Sequence, residues 1–494
     1  MFYKKELTGK KESKKQFEFN IFKREQNQKD DDGLLEIGQA KVAYNFITED
    51  GSLRSGYGFK EFTSPISEDD LENEYEYIIR GQEVSKIWKL KWYNNDSDTD
   101  CHYLFYYNDE NYVCYDNLFE TRLATYFYPT EFTTTPYIIN YRYDQQDAIL
   151  LSSTDGQAMV ISGAGWTKES SAQGIVSCCN HYGKLFAITA SARGTLVYTD
   201  TDFINWDDTL TSNLDFTDER GDLNKIISFN DYLYIFRDFG ITQVSVYSNN
   251  QSFAVSHMYK ASDYIHPNTI VEYGDKIYFM EGNNLKSFNG SSVKDVQVKS
   301  LELLKGVDNR YITAECYDGK YFLACRAQFG DGQSIGCENS SSGFKNNLLF
   351  VYDILSEQVD LLRGVDIRQM LALTNNLKSK FVACFYNDNK AKIGQLTKNG
   401  NVFGEKYGGV WKSGKLDFDM PGQRKRIKSF LICSFSDCTV TISSEEGKKS
   451  FAVKGSEQVQ EISTLLYGNM FEIEIAGSSD SDDYISNFVV TVSK

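Results

Sequence analysis

This chain of 494 residues is poor in proline and contains neither a long apolar run nor a recognisable secretory signal. Only five prolines occur, which argues against long disordered linkers, because such linkers are usually rich in proline. No run of 18 or more apolar residues is present, so the sequence predicts no membrane-spanning helix. The basic N-terminus, MFYKKELTGKKESKKQ, lacks an apolar core and does not predict a secretory signal.

The spacing of cysteine and histidine residues in the sequence gives little support for a disulfide framework or a metal site. The ten cysteines form no CxxC pair, and several lie in alternating strand patterns, as Cys325 does in YFLAC and Cys384 in KFVAC. This pattern predicts buried free thiols and synthesis in a reducing cytoplasm rather than a disulfide framework. The four histidines are scattered without the spacing of a metal site. We therefore expect no metal and no cofactor.

Positive charge is in deficit, with 52 Lys and Arg against 69 Asp and Glu and a net charge of −17. A surface this acidic is a poor binder of nucleic acid or anionic membranes, because phosphate contacts need clustered cations. The strongest basic run, GQRKRIKS, has two interpretations: a strand edge charged against aggregation, or a docking patch for an acidic partner. Its cationic residues are Arg424, Lys425, Arg426 and Lys428.

Aromatic residues are abundant, with 33 Tyr and 33 Phe, and they favour strands over helices. The stretch SFNDYLYIFRDFGITQVSV alternates polar with apolar residues and turns at Asn230-Asp231, as a β-hairpin does. Similar hairpins recur, and aligning their turns gives equivalent positions spaced by 48, 44 and 44 residues: Lys184, Tyr232, Lys276 and Lys320. A period in the forties is typical of β-propeller blades.

The sequence thus predicts an all-β chain in three parts. Residues 1–32 form an extended N-terminal arm that orders on a partner, and its FEFNIF stretch could add a strand to a neighbour. Residues 33–400 form an entry segment and a propeller of about six to eight blades. Residues 401–494 form a β-sandwich of about seven or eight strands. The Gly- and Ser-rich stretch Gly330–Asn347 predicts an exposed loop.

Catalytic and calcium motifs match poorly. YTDTDFINWDD, starting at Tyr198, is similar to the Asp-box turn of sialidase-like propellers but lacks its central glycine. DSDTD, starting at Asp96, lacks the glycine and the bidentate glutamate of a calcium loop. No nucleophile and base occur at a recognisable spacing, so we predict no catalytic residues and no enzyme activity. A glycosidase remains a third candidate, because carboxylates are plentiful enough to form an acid–base pair.

Three stretches carry a resemblance to a known family: AYNFITEDGSLRSGYGFK, FNDYLYIFRDFGITQVSV and WKSGKLDFDMPGQRKRIKSFLICSFSDCTVTISSEEGKKSFAV. In layout the chain resembles the β-propeller tail and head–tail proteins of tailed bacteriophages, of the packaged-DNA stabilisation, tail-hub or tail-nozzle type. The resemblance implies a homo-oligomeric ring, usually six-fold, that contacts portal or adaptor rings and tail or fibre proteins. It also implies that DNA passes through the ring, and it brings no catalytic residues.

We therefore expect a structural virion protein, at the tail or the head–tail junction, that helps to retain and conduct packaged DNA. It would be made in the host cytoplasm and bind no membrane, and DNA would pass through its lumen without specific binding. Acidic walls suit this role, since they repel phosphate. The alternative is a carbohydrate- or receptor-binding propeller, an adhesin whose Tyr- and Trp-rich loops provide stacking surfaces.

Overall fold

The structure, a computed structural model, describes β-strands in the first 126 residues and most of residues 137–493. The longest gaps in the latter range are 200–210 and 328–344. Nearly all the regular structure is strand, so the predicted all-β class is confirmed. Three short strands come first along the chain: β1 (Phe2–Lys5), β2 (Lys15–Phe19) and β3 (Gly58–Glu61).

Six four-stranded antiparallel sheets follow, each built from strands consecutive in the chain. Sheet 1 contains β4 (Lys86–Asn94), β5 (Thr99–Tyr107), β6 (Tyr112–Tyr115) and β7 (Arg122–Tyr126). Sheet 2 contains β8 (Tyr137–Tyr143), β9 (Gln146–Ser152), β10 (Ala158–Ser162) and β11 (Gly165–Lys168). Sheet 3 contains β12 (Ile175–His181), β13 (Lys184–Thr189), β14 (Ala192–Thr199) and β15 (Thr211–Asp215).

The next three sheets repeat this plan. Sheet 4 contains β16 (Leu223–Phe229), β17 (Tyr232–Arg237), β18 (Gly240–Val246) and β19 (Phe253–Lys260). Sheet 5 contains β20 (Val271–Tyr273), β21 (Lys276–Glu281), β22 (Asn284–Phe288) and β23 (Val293–Asp295). Sheet 6 contains β24 (Thr313–Tyr317), β25 (Lys320–Cys325), β26 (Leu348–Asp353) and β27 (Val359–Arg363).

The four aligned positions of the sequence fall at one structural position, the first residue of the second strand in sheets 3 to 6. The turn before that residue uses the left-handed backbone region, with φ of 46° at Asn230, 64° at Asp231 and 73° at Gly319. Asn, Asp and Gly tolerate this region, and such two-residue turns match the twist of the strands they join. The turn residues therefore set the register of each repeat.

In sheets 3 to 6, the second strand carries apolar side chains on both faces, because the preceding sheet packs on one face and the following sheet packs on the other. In β17, Leu233 and Ile235 are fully buried in a cluster shared with sheet 3. Their neighbours Tyr234 and Phe236 belong to a cluster shared with sheet 5. Strand β21 divides its side chains in the same way between clusters shared with sheets 4 and 6. Strand β25 divides them between clusters shared with sheets 5 and 7. The run LYIF, Leu233 to Phe236, is therefore a strand segment buried on both faces.

Hydrogen bonds between sheets accompany this packing. The buried Tyr321 hydroxyl of sheet 6 donates to the Thr269 carbonyl, just before sheet 5, at 2.9 Å. The Tyr234 hydroxyl of sheet 4 donates to the Gly290 carbonyl of the β22–β23 turn, also at 2.9 Å. Both tyrosines thus place their hydroxyl groups on a main-chain carbonyl of a neighbouring unit, as buried tyrosines usually do.

Sheet 7 combines strands from distant parts of the chain. Its first three strands are β28 (Ile367–Asn375), β29 (Lys378–Asn387) and β30 (Lys390–Thr397). The fourth is β3, which pairs antiparallel with β30 and places Phe59 opposite Leu396. The short strands β31 (Asn401–Val402) and β32 (Glu405–Lys406) extend the sheet. Strand β28 also contacts β4 and β5, so sheet 7 touches sheet 1.

The C-terminal region forms two further sheets. Their strands are β33 (Gly409–Lys412), β34 (Lys425–Ser434), β35 (Cys438–Ser444), β36 (Gly447–Val453), β37 (Gln460–Gly468), β38 (Phe471–Gly477) and β39 (Ile485–Ser493). One sheet has the order β33-β38-β35-β36 and the other β1-β2-β39-β34-β37. Both contribute to one buried cluster, in which the Phe430 and Phe451 rings lie 5.6 Å apart.

The N-terminal arm expected at residues 1–32 differs from that expectation in one respect. Its strand β2 pairs with β39 of the same chain, with Phe17 opposite Val490, and β1 pairs with β2. The strand addition expected toward a neighbour is thus present within the chain. The physical reason is that β39 would otherwise present an unpaired edge, which proteins usually cover.

The contacts between sheets 5 and 6 yield a stability prediction. Tyr321→Phe should lower the free energy of unfolding by about 1–2 kcal/mol, because the buried Thr269 carbonyl loses its donor. Tyr273→Phe is the matched control: the Tyr273 hydroxyl accepts a bond from the Gly319 amide at an exposed site, so its loss should cost less than about 0.5 kcal/mol. Urea unfolding of both variants measures the difference, and equal losses would contradict the role given to Tyr321.

Candidate functional site

The basic segment of the sequence lies at the start of β34, in the interior of a C-terminal sheet. Strand β34 is flanked by β39 and β37, so it is not a sheet edge. The interpretation of this segment as an edge charged against aggregation is therefore wrong. Its four cations do not share one environment: Arg424 is exposed, Lys425 is buried, and Arg426 and Lys428 are half-buried.

Arg424 is held by side chains of the same region. Its Nε donates to one carboxylate oxygen of Glu446 at 2.6 Å, and its terminal nitrogen donates to the other at 2.7 Å. Its guanidinium also lies 4.7 Å from the centre of the Tyr467 ring, and the Arg426 guanidinium lies 5.8 Å from the same ring. Tyr467 is thus flanked by two arginines, and its ring is partly exposed.

Lys425 has a role in the fold. Its ammonium donates a hydrogen bond to the Asn469 carbonyl, and its side chain is almost fully buried. Burial lowers the pKa of this ammonium below its usual range. Of the four proposed docking residues, the structure therefore leaves Arg424 as the exposed one and assigns Lys425 to the interior. Whether the segment docks a partner stays a prediction.

A second charged group, not found from the sequence, lies where sheet 3 leads into sheet 4. Arg237, at the end of β17, is fully buried and donates to the Asp218 carboxylate at 2.7 Å and to the Gly221 carbonyl at 2.7 Å. Burial acts to raise the pKa of Asp218, but hydrogen bonds from Arg220 and Arg237, and the charge of Arg237, outweigh it and lower the pKa to about 2. The only signal in the sequence is an arginine that ends an apolar run.

His257 connects this ion pair to a threonine. Its Nε2 lies 3.7 Å from the Asp218 carboxylate, and its Nδ1 lies 3.2 Å from the Thr242 hydroxyl. The order of side chains matches a hydroxyl–histidine–carboxylate triad, but Thr242 is fully buried within β18. Its hydroxyl therefore cannot reach a substrate, and the His257–Asp218 distance is too long for a hydrogen bond, so the arrangement is structural.

Glu281 occupies in sheet 5 the position that Arg237 occupies in sheet 4. Its carboxylate is fully buried and accepts bonds from the Ser262 amide at 2.9 Å, the Ser262 hydroxyl at 2.7 Å and the Tyr259 hydroxyl at 2.5 Å. Lys286 lies 3.8 Å away. A charge buried at this position is thus compensated in both sheets, by a counter-charge or by several donors. These groups tie the connecting segments to the strands.

An exposed aromatic pair lies beside this network. Phe239, in the β17–β18 turn, and Tyr264, between sheets 4 and 5, are 40% and 37% exposed, and their rings meet edge to face at 6.3 Å. Asp263 precedes Tyr264 and is exposed, the half-buried Asp238 precedes Phe239, and the Asp238 carboxylate accepts a bond from the amide of the exposed Asp222 at 2.9 Å. Burial and the carboxylates of Asp238 and Asp222 raise the pKa of the Tyr264 hydroxyl. The patch combines apolar ring surface with carboxylates.

The loop expected at Gly330–Asn347 leaves sheet 6 between β25 and β26, and residues 330–344 of it lie outside the described residues. Its C-terminal base is held by the buried Asp366 carboxylate, which accepts bonds from the Lys345 and Asn346 amides at 3.1 and 3.0 Å. Most of the sialidase-like stretch and of the acidic stretch at Asp96 also lies outside the described part of the chain.

The cysteine prediction is confirmed for the seven whose side chains the structure describes. None of these seven forms a disulfide, and six are buried: Cys178, Cys316, Cys325, Cys384, Cys433 and Cys438. Burial raises the pKa of the Cys384 thiol to about 12, so it is a poor nucleophile at neutral pH. Among the described residues, no cluster of His, Cys, Asp or Glu side chains is suited to hold a metal ion. That part of the chain also has no helix able to cross a bilayer.

Comparisons with known proteins add no assignment. No protein-family model matches this chain, and no curated protein matches its sequence.

The Asp218–Arg237 pair predicts a defined pH dependence. Asp218→Asn should lower the free energy of unfolding at neutral pH by about 2–3 kcal/mol, because it leaves the buried Arg237 charge without its partner. The carboxylate is more acidic in the folded chain, so its contribution is complete above about pH 4 and is lost as the pH falls through about 2.

Urea unfolding at pH 7 and at pH 2 to 3 measures this dependence, and the difference between the two proteins should be much smaller at the acid end. Glu219→Gln is the control, since Glu219 and its partner Lys260 are both exposed and such pairs contribute about 0–1 kcal/mol. A pH-independent difference between the Asp218→Asn variant and the unmodified chain would contradict the assignment.

Proposed function

We propose that the seven sheets close into a β-propeller, that the two C-terminal sheets form a β-sandwich, and that the chain is a structural protein of a bacteriophage virion. In this role it forms a homo-oligomeric ring, expected to be six-fold, at the tail or the head–tail junction. It acts as a non-catalytic conduit for the packaged DNA. Other virion proteins, such as a portal or adaptor ring, are its partners.

The observation that carries the proposal is the contact between the first and the last sheet. Strand β28 contacts β4 and β5, and β3 from the N-terminal region supplies the fourth strand of sheet 7. A row of sheets in which each buries both faces leaves two apolar ends, and contact between the ends removes them. Strand β3, from the N-terminal region, completes the last sheet and so stabilises the closure.

The charge balance supports the conduit. Each copy carries a net charge of −17, so a ring of copies would hold a strongly negative potential around its lumen and keep contacts with phosphate weak. Arg424, the exposed cation just before β34, is suited to contact an acidic protein surface, since its guanidinium binds a carboxylate, that of Glu446, in two-pronged geometry.

A second candidate function, binding of a carbohydrate or host receptor, is favoured by the aromatic pair Phe239 and Tyr264. Exposed rings beside carboxylates can stack on a sugar and accept bonds from its hydroxyl groups. Phe239→Ala should abolish glycan binding if this function applies. It should leave ring assembly unchanged if the conduit function applies.

The proposed function is tested with the purified full-length chain. Native mass spectrometry should find a closed oligomer, expected to be a hexamer, and duplex DNA should bind little at physiological salt. Arg424→Ala should weaken assembly with acidic virion partners but not change DNA affinity, with Lys448→Ala, also an exposed cation, as the control. A chain that stays monomeric, or that binds DNA tightly in a salt-sensitive manner, would contradict the proposal.

A further inference from the structure

The edge of β39 is a site that accepts an added strand. On its inner side β39 pairs with β34, and its side chains Phe488, Val490 and Val492 are fully buried between the C-terminal sheets. On its outer side β39 pairs only with the five residues of β2. Without β2, a nine-residue strand with an apolar inner face would have unpaired main-chain groups along that side. Edges of this kind readily bind another strand.

The N-terminal segment that carries this strand has a charge opposite in sign to that of the whole chain, and a long stretch of sequence, its tether, separates the strand from β3. Residues 1–20 contain six lysines and three glutamates, a net charge of +3 in a chain whose net charge is −17. The 38 residues 20–57 separate β2 from β3, which is fixed in sheet 7, and a chain of that length can span at most about 130 Å. The hairpin of β1 and β2 can therefore reach a neighbouring copy as well as its own sheet.

The main-chain bonds and the register are the same whether β2 comes from the same chain or from another. The choice depends on which β39 edge lies closer to the tether in the assembled state, because the pairing itself contributes equally in both cases. We infer that, in the ring, the hairpin β1–β2 of each copy completes the C-terminal sheet of its neighbour, so that a strand exchange links successive subunits. This inference rests on the proposed ring.

The test uses cysteine pairs across the β2–β39 ladder. Glu18 stands opposite Val489, whose side chain is half-buried on the outer face. Residues directly opposite in a ladder have Cβ atoms about 4.5–5.5 Å apart, close enough for mild oxidation to link them. A full-length chain with Glu18→Cys and a mass tag is assembled with an untagged full-length chain that carries Val489→Cys. After oxidation the products are separated by size under denaturing, non-reducing conditions.

Exchange predicts a main product with the combined mass of one tagged and one untagged chain. The matched control replaces Val489→Cys with Thr439→Cys, an exposed position in the other C-terminal sheet, and should give no such product. A single chain with both Glu18→Cys and Val489→Cys should give a ladder of linked copies. The native cysteines described as buried react slowly, since burial raises the pKa of thiols such as Cys384.

Two outcomes overturn the inference in different ways. If native mass shows a ring but the double variant links only within each chain, strand exchange is wrong and the proposed function stands. If the unmodified chain stays monomeric and the double variant links only within itself, both the ring and the exchange are wrong.

Discussion

The two-sided burial of the middle strands is the constraint on which the rest of the structure depends. In β17, alternate side chains enter two different hydrophobic clusters, so sheet 4 is stable only with sheets 3 and 5 beside it. The same division occurs in β21 and β25. A sheet at either end of such a row would expose one apolar face to water. Contact between sheets 1 and 7 covers these two faces. The N-terminal strand β3 serves the same closure, because it provides the fourth strand of sheet 7.

Buried polar groups of sheets 4 to 6 also serve this packing. Arg237 and Glu281 occupy equivalent strand ends, and each is fully buried with several partners that lie on the connecting segments. The tyrosine hydroxyls of Tyr234 and Tyr321 bond to carbonyls of the neighbouring units. Such bonds fix how consecutive sheets meet, and the penalty for an unpaired buried group makes these contacts specific.

The local sequence pattern predicted the repeated hairpins, but it did not predict the pairing of strands that are distant in the chain. The hairpin at Asn230-Asp231 and the aligned residues Tyr232 and Lys276 could be identified because turn chemistry and alternation are local signals. The pairing of β3 with β30 and of β2 with β39 joins residues more than 300 positions apart, and nothing in the short strands specifies their partners. The interior position of Lys425 was also missed, since a lysine in a basic run gives no signal of its burial.

We propose that the seven sheets close around one axis, with β3 as the fourth strand of the last sheet. Electron cryo-microscopy of the purified full-length chain tests it most directly. The account predicts a map in which β28 lies against β4 and β5, and in which β3 continues sheet 7 next to β30. A map in which sheets 1 and 7 are separated, or in which residues 58–61 pair elsewhere, would contradict it.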